Sequence, residues 1–198
     1  CYLDGLVYRT SDHKKLLLAK NLMRKPIINA LSQTSHPCQT LTDLITLYEN
    51  FRRLDIEISW FGDMNNVLFS LVEAVNMLDV IKLNIFSDAS IINDNNWYLS
   101  DKIRLFDKID HKIVKSSNCI MTDVFVSMND EDSSRKLNLL RDFQVNKELF
   151  AKTSDDCVFM HCLPAKVGAE VTKDVIESSK SIVWKQAYNR LPAQKRLL

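Results

Sequence analysis

The chain of 198 residues is 46% hydrophobic and 26% charged, the profile of an ordinary globular protein, with length for one domain and a piece of another. Lys and Arg total 26 against 25 Asp and Glu, a formal net charge of +1, so nothing in the balance calls for nucleic acid or an anionic membrane surface. No apolar run reaches the ~18 residues that a bilayer span needs, and the opening Cys1-Tyr2-Leu3-Asp4 has neither the basic nor the apolar region of a signal peptide.

In chain order, residues 6–8 read as a strand, 13–23 as a helix and 26–31 as a second strand. Residues 38–51 carry Leu41, Leu44, Ile45 and Tyr48 at helical spacing. A buried-type strand over 56–61 precedes a helix over 67–78, and a strand over 83–86 precedes a polar loop over 88–96. Residues 98–109 are expected to be helical and 112–114 to form a short strand. A strand over 119–122, charged helical sequence over 131–150, a strand over 158–160 and a closing helix over 184–198 complete the chain. This alternation predicts an α/β fold, a doubly wound parallel sheet covered on both faces. A strand so close to a start that lacks Met is read as truncation, with a remnant of a second, similar domain in front. The expected division is 1–37 for that remnant, 38–50 for an interdomain helix, 51–180 for the complete domain and 181–198 for a helix returning to the first.

Gly5, Gly62 and Gly168 are the three glycines, too far apart to build a GxGxxG turn or a P-loop, which removes two common functions of α/β chains. The five cysteines (Cys1, Cys38, Cys119, Cys157 and Cys162) form no CxxC pair and no ligand spacing with the four histidines. No metal or other cofactor is expected, and the odd, scattered thiols point to a reducing, cytoplasmic compartment.

Ligands of doubly wound sheets bind beyond the carboxyl ends of the strands. The polar residues of interest follow five predicted strands: Arg9-Thr10, Ser35-His36-Pro37-Cys38-Gln39, Gly62-Asp63-Met64-Asn65-Asn66, Asp123 to Met128, and His161-Cys162-Leu163-Pro164. That recurrence predicts one site. Each residue also has an ordinary reading. His36 before Pro37 suits a helix entry, and Asn65 and Asn66 suit an N-cap. Cys162 suits an inert buried thiol, with His161 projecting away from it if the strand continues. Arg190 suits cover for apolar surface, and His13, His111 and the charge run over 131–136 suit solvated surface. Asp123 resists such a reading, because a carboxylate closing an apolar strand needs a partner.

HPCQ at 36–39, GDMNNV at 62–67, DVFVSM at 123–128, FMHCLP at 159–164 and Asn189-Arg190 resemble, in order and spacing, the motifs of ornithine carbamoyltransferases. HCLP together with Ser-Met after a DVFV-type strand is the more specific part of the resemblance, whereas HPxQ alone is shared with aspartate carbamoyltransferases. The resemblance implies transfer of the carbamoyl group from carbamoyl phosphate to the δ-amine of L-ornithine, giving citrulline and phosphate in arginine biosynthesis. It implies that Arg9, His36, Gln39, Cys162, Leu163 and Arg190 hold carbamoyl phosphate, and that Asn66, Asp123, Ser127 and Met128 hold ornithine. Cys162, Asp123, His36 and Arg9 would stand at the reacting centre, in a homotrimer assembled through the N-terminal domain.

The residue chemistry agrees with that implication. The nucleophile belongs to the substrate, so the site has only to orient two small ligands and stabilise an oxyanion at the carbamoyl carbon. Arg9 and Arg190 offer fork-like donors to phosphate and carbonyl oxygen. Asp123 can pair with an ammonium, and Asn66 at a helix N-terminus suits an α-carboxylate.

The 198 residues contain no Ser-Thr-Arg-Thr-Arg loop, with which the family grips the phosphate. Asn129 and Met64 stand where the family usually has glycine, Tyr188 where it has an acidic residue, and Pro192 is expected early in the last helix. Met64 is expected to reshape its loop. Two alternatives stand beside the leading one: carbamoyl transfer to a related amine, and a catalytically silent binding or assembly subunit.

Overall fold

A computed structural model describes residues 2–78, 80–127 and 132–198. Strands β1 (Leu6–Arg9) and β2 (Ile27–Leu31) pair in parallel, with helix α1 (His13–Leu22) as the crossover. Asp12 starts α1 by accepting from the Lys14 N–H. Helix α2 (Pro37–Phe51) has Pro37 in its first turn, where a missing N–H costs nothing, and ends on Arg52 in the left-handed region.

The larger sheet follows. Its elements in order are β3 (Glu57–Phe61), α3 (Asn66–Met77), β4 (Lys82–Phe86), α4 (Ala89–Asn93), β5 (Ile103–Phe106), α5 (His111–Ser116), β6 (Cys119–Thr122), α6 (Ser133–Leu140), a 3-10 turn at Arg141–Phe143, α7 (Lys147–Phe150), β7 (Val158–His161), α8 (Lys173–Ile176) and α9 (Val183–Leu197). The strand order is β5-β4-β3-β6-β7, every pairing parallel. This is the doubly wound arrangement, in which the winding reverses between β3 and β6.

Both sheet faces are buried. Ile58, Trp60, Leu83, Met121 and Met160 face Leu68, Leu71 and Val72 of α3. Phe61, Phe86, Ile120 and Phe159 face Phe125, Phe143 and Val175 on the other side. Phe61, Phe86 and Phe106 are in register on neighbouring strands and stack at 4.7 and 4.9 Å between centroids.

Four expected elements differ. Residues 88–96 hold α4, because Asp88 caps it by accepting from the Ser90 N–H. Residues 98–109 hold strand β5 instead of a helix, and 112–114 lie in α5 instead of a strand. The strand completes the aromatic ladder through Phe106, and Asp110 caps α5 by accepting from Lys112. The stretch over 131–150 is broken into α6, the turn and α7, with Val145 bridging to Val171; Glu131 lies outside the described residues. Pro192 sits in the interior of α9, not in its first turn. The carbonyl that loses its donor there belongs to Tyr188, a residue exposed to water. Among the described residues no helix is long and apolar enough to cross a membrane.

Helix α9 returns to pack along α2. Asn189 donates to Thr46 and Glu49 at 3.0 Å each, and Gln186 donates to Asp43 at 2.7 Å. The end of the chain is thereby brought over the residues that follow β2.

Candidate active site

The carboxyl ends of β3 and β6 lie side by side at the reversal point, where neighbouring crossovers leave in opposite directions and open a crevice. After β3 the chain turns at Gly62, whose φ of 112° few side chains tolerate. Asn65 then caps α3, its Oδ1 accepting from the Val67 and Leu68 N–H groups at 3.0 and 3.1 Å. Its Nδ2 donates to Asp123 Oδ2 at 2.8 Å. Met64 has no positive φ, and its side chain is buried with Trp60 in the core.

Asp123 follows β6 and is buried. Its Oδ1 accepts from the Cys162 thiol at 2.9 Å, so the carboxylate is held by one donor on each oxygen. Burial, and then the Asp123 charge, push the Cys162 thiol well above the usual thiol range. The group at this position is therefore a neutral thiol at neutral pH.

His161 does not project away from Cys162. Its ring, the Cys162 sulfur and an Asp123 oxygen lie within 4.8 Å of one another. The strand stops at His161 and the chain turns through Leu163 at φ 56°, so strand alternation no longer governs Cys162. The imidazole is fully occupied: Nδ1 accepts from the Leu163 N–H at 2.9 Å, which leaves the proton on Nε2, 3.3 Å from buried Glu170. With both ring nitrogens engaged by Leu163 and Glu170, His161 lies beside the Cys162–Asp123 pair without bonding to it.

A second group gathers around α2. His36 precedes that helix; its N–H donates to Ser70 Oγ at 2.7 Å, and its ring Nδ1 is buried without a partner among the described residues. Burial, then the charges of Arg190 and Arg9, lower its pKa to about 4. The imidazole is neutral at neutral pH, flanked by two cations. Gln39 Nε2 donates to Asp43 Oδ1 at 2.8 Å, while its oxygen accepts from Arg190. With its oxygen facing the guanidinium, Gln194 accepts from Arg190 Nε and Nη2 at 2.9 and 3.0 Å, and of the five guanidinium N–H groups one on Nη1 and one on Nη2 stay available to a ligand. Arg190 is thus held on two sides and does more than cover apolar surface. Arg9 and Arg190 line one open cavity of about 240 Å³ between the small sheet and α9.

The expected site residues therefore fall into two connected groups. Asp123, Cys162 and Leu163 stand at one end, and Arg9, His36, Gln39 and Arg190 at the other. Asn66 begins α3, but its Nδ2 donates to the Ser32 carbonyl at 2.7 Å, tying α3 to the loop after β2. Ser127 is exposed, and Met128 and Asn129 lie outside the described residues. Two residues given as solvated surface have partners. His13 Nδ1 meets Ser32 Oγ at 2.8 Å, and Lys136 pairs with buried Asp63 at 2.8 Å. Sequence reasoning missed Asp43, Glu170 and Gln186, as well as the partnership of Asn65 with Asp123. An apolar helix face interrupted by a buried-side Asp43 was the available signal for the first of these.

Residues 54–198 match the family model described as the Asp/Orn binding domain of aspartate/ornithine carbamoyltransferase, and residues 1–49 match its carbamoyl-P binding domain. The chain is 40% identical over 202 aligned residues to the ornithine carbamoyltransferase of Rhizobium johnstonii, covering 100% of itself and 66% of that relative. It is 39% identical to that of Agrobacterium fabrum, with the same coverage. Among solved structures, the ornithine carbamoyltransferase of Pyrococcus furiosus superposes with a TM-score of 0.86 at 36% identity, over 99% of this chain and 66% of that one. That of Thermus thermophilus gives 0.86 at 30%, over 100% and 66%. The chain thus spans just under two thirds of the length of these relatives, and it belongs to the aspartate/ornithine carbamoyltransferase family.

Proposed function

We propose that this crevice serves carbamoyl transfer from carbamoyl phosphate to the δ-amine of L-ornithine. The observation that carries the reading is the carboxylate of Asp123, held by Asn65 and by the Cys162 thiol, with Arg190 near enough for its charge to act on that same thiol and itself beside Gln39 and the neutral imidazole of His36. One end suits an alkylammonium and the other an anionic phosphate with a polarised carbonyl.

In this reading Arg9, His36, Gln39, Leu163 and Arg190 bind carbamoyl phosphate, and Arg190 with neutral His36 donates to the oxyanion that forms at the carbamoyl carbon. Asn66, Asp123, Ser127 and Met128 receive ornithine. Asp123 holds the δ-ammonium on arrival, and the amine attacks after losing a proton. The C–N bond forms, the C–O bond to phosphate breaks, and the phosphate leaves with the electron pair; of the two protons the ammonium gives up, the first passes to solvent before attack and the second to the departing phosphate. Cys162 takes part as a thiol donor that orients Asp123, since its raised pKa disfavours a thiolate. The further expectations remain part of this proposal: residues 1–37 contribute to a phosphate-side domain, 38–50 to the connecting helix, 51–180 to the ornithine side and 181–198 to the returning helix. A homotrimer, a cytoplasmic setting and a step of arginine biosynthesis complete it.

Titration calorimetry with L-ornithine and carbamoyl phosphate, alongside a citrulline assay, tests the reading. The 198-residue chain is expected to bind ornithine in preference to lysine and to bind carbamoyl phosphate weakly. It is expected to form no citrulline above background, because phosphate and oxyanion donors typically supply ~2–4 kcal/mol each and the Ser-Thr-Arg-Thr-Arg loop is not among these residues. Failure to bind either ligand would overturn the proposal.

A further inference from the structure

Asp43 lies one helical turn beyond Gln39 on α2, and it is 1% exposed. One of its oxygens, Oδ1, accepts from Gln39 Nε2 at 2.8 Å and from Gln186 Nε2 at 2.7 Å. Each amide then turns its own oxygen toward the crevice residues. Gln39 Oε1 accepts from Arg190, and Gln186 Oε1 accepts from the His161 N–H at 3.0 Å. An amide has one donor end and one acceptor end, so fixing the donor end decides what the other end meets. Asp43 Oδ2 is buried and has no hydrogen-bond partner among the described residues. Joining α2 to α9 does not depend on Asp43 alone, because Asn189 joins the same helices through Thr46 and Glu49 at 3.0 Å each.

We propose that Asp43 is a positioning residue for carbamoyl transfer, aiming Gln39 and Arg190 at one end of the crevice and, through Gln186, the His161–Cys162 turn at the other. The inference rests on the functional reading given above. The charged and titratable groups that act on Asp43 or feel its charge are Arg190 on α9, Asp123 after β6, Cys119 on β6 and Cys162 after β7, with His36 coupled to the same Arg190. Burial pushes the Asp43 carboxyl up to about 7, against the hydrogen bonds from Gln186 and Gln39 and the Arg190 charge. His36 stays neutral above about 4, and the two thiols keep their protons. Deprotonating Asp43 places a negative charge near Arg190 and weakens its pull on an anion, so carbamoyl phosphate affinity falls as pH rises through this range.

The test is calorimetric titration of carbamoyl phosphate into the 198-residue chain and its Asp43→Asn and Asp43→Ala variants, with thermal unfolding measured in parallel. The unaltered chain is expected to bind about fivefold more tightly at about pH 6 than at about pH 8. Asp43→Asn keeps the Oδ1 acceptor without the charge, so it should match the unaltered chain at the lower pH and show a flat profile. Asp43→Ala loses the acceptor and should bind about tenfold more weakly at both values, since one charge-assisted contact is worth about that. If the alanine variant does not fold, the comparison of pH profiles still decides. Parallel profiles for Asp43→Asn and the unaltered chain, or equal affinity in a folded Asp43→Ala, would overturn the inference alone. Absence of binding by the unaltered chain would overturn the functional reading and the inference with it.

Discussion

Cys162 Sγ donates to Asp123 Oδ1 at 2.9 Å, and the two residues follow strands β7 and β6, which are neighbours in the sheet. Burial and the adjacent carboxylate together keep the thiol protonated well above the usual range. Thiolate, not thiol, attacks alkylating reagents, so Cys162 should react slowly with iodoacetamide at neutral pH. Asp123→Asn removes the raising charge and should speed the reaction roughly threefold to tenfold, because the thiolate fraction grows as the thiol becomes more acidic. Peptide mass spectrometry over time reads the rate. Equal rates in both proteins would mean that burial alone governs this thiol.

Much of the frame was legible in the sequence because it rests on local rules. Apolar strands of four to five residues and the Asn65 cap before an apolar helix are written in adjacent residues. The failures share a cause. Strand β5 has partly exposed edge residues and weak alternation, and its identity comes from pairing with β4, which no local pattern records. The site was legible as strand ends, but its organisation was not. Asp43 reaches Gln186 across 143 positions of sequence, and Asp123 reaches Asn65 across 58. Those partnerships depend on helix packing and sheet order.

Gly62 sets the turn that brings Asn65 to Asp123. A Cβ at this position would lie 2.3 Å from Phe125 Cε1, on a backbone with φ +112°. Phe125 is 1% exposed and has little room to withdraw. Gly62→Ala should therefore destabilise the chain by about 2–4 kcal/mol through combined backbone strain and overpacking. Urea unfolding measures this directly. A loss below the experimental error would show that the loop relaxes without cost.

Two buried groups give opposing pH dependence. Folding lowers His36 from 6.5 to about 4, so its contribution is present above 6.5 and is lost as pH falls through about 4. Folding raises Asp43 from 3.8 to about 7, so its contribution is present below 3.8 and is lost as pH rises through about 7. Between 4 and 6.5 the two slopes are opposite and cancel. Asp43→Asn should uncover the His36 slope, with stability rising by about 1.4 kcal/mol per pH unit in that window. His36→Asn should uncover the reverse slope. Urea unfolding at several pH values checks both, and slopes of the same sign in the two variants would contradict the assignment.

The acceptor end can be separated from the phosphate end by substitution. Asp123→Asn keeps the size of the side chain and removes the charge that would hold an ammonium. It also places an amide donor opposite Asn65 Nδ2 or the Cys162 thiol, so one of those contacts is lost whichever way the amide turns. L-ornithine affinity should fall by at least about tenfold, the usual order for one charge-assisted hydrogen bond. Cys162→Ser retains a donor to Asp123 with a shorter reach, so its effect should be smaller, about twofold to fivefold on the same scale. Carbamoyl phosphate affinity should barely change in either variant, because Arg9 and His36 are untouched and Gln39 and Arg190 keep their own partners in Asp43 and Gln194. Calorimetry with each ligand in turn gives the comparison. Intact ornithine binding with collapsed carbamoyl phosphate binding would reverse the assignment of the two ends, since Asp123 would then be organising the anion site through Asp43, on which both its charge and that of Arg190 act.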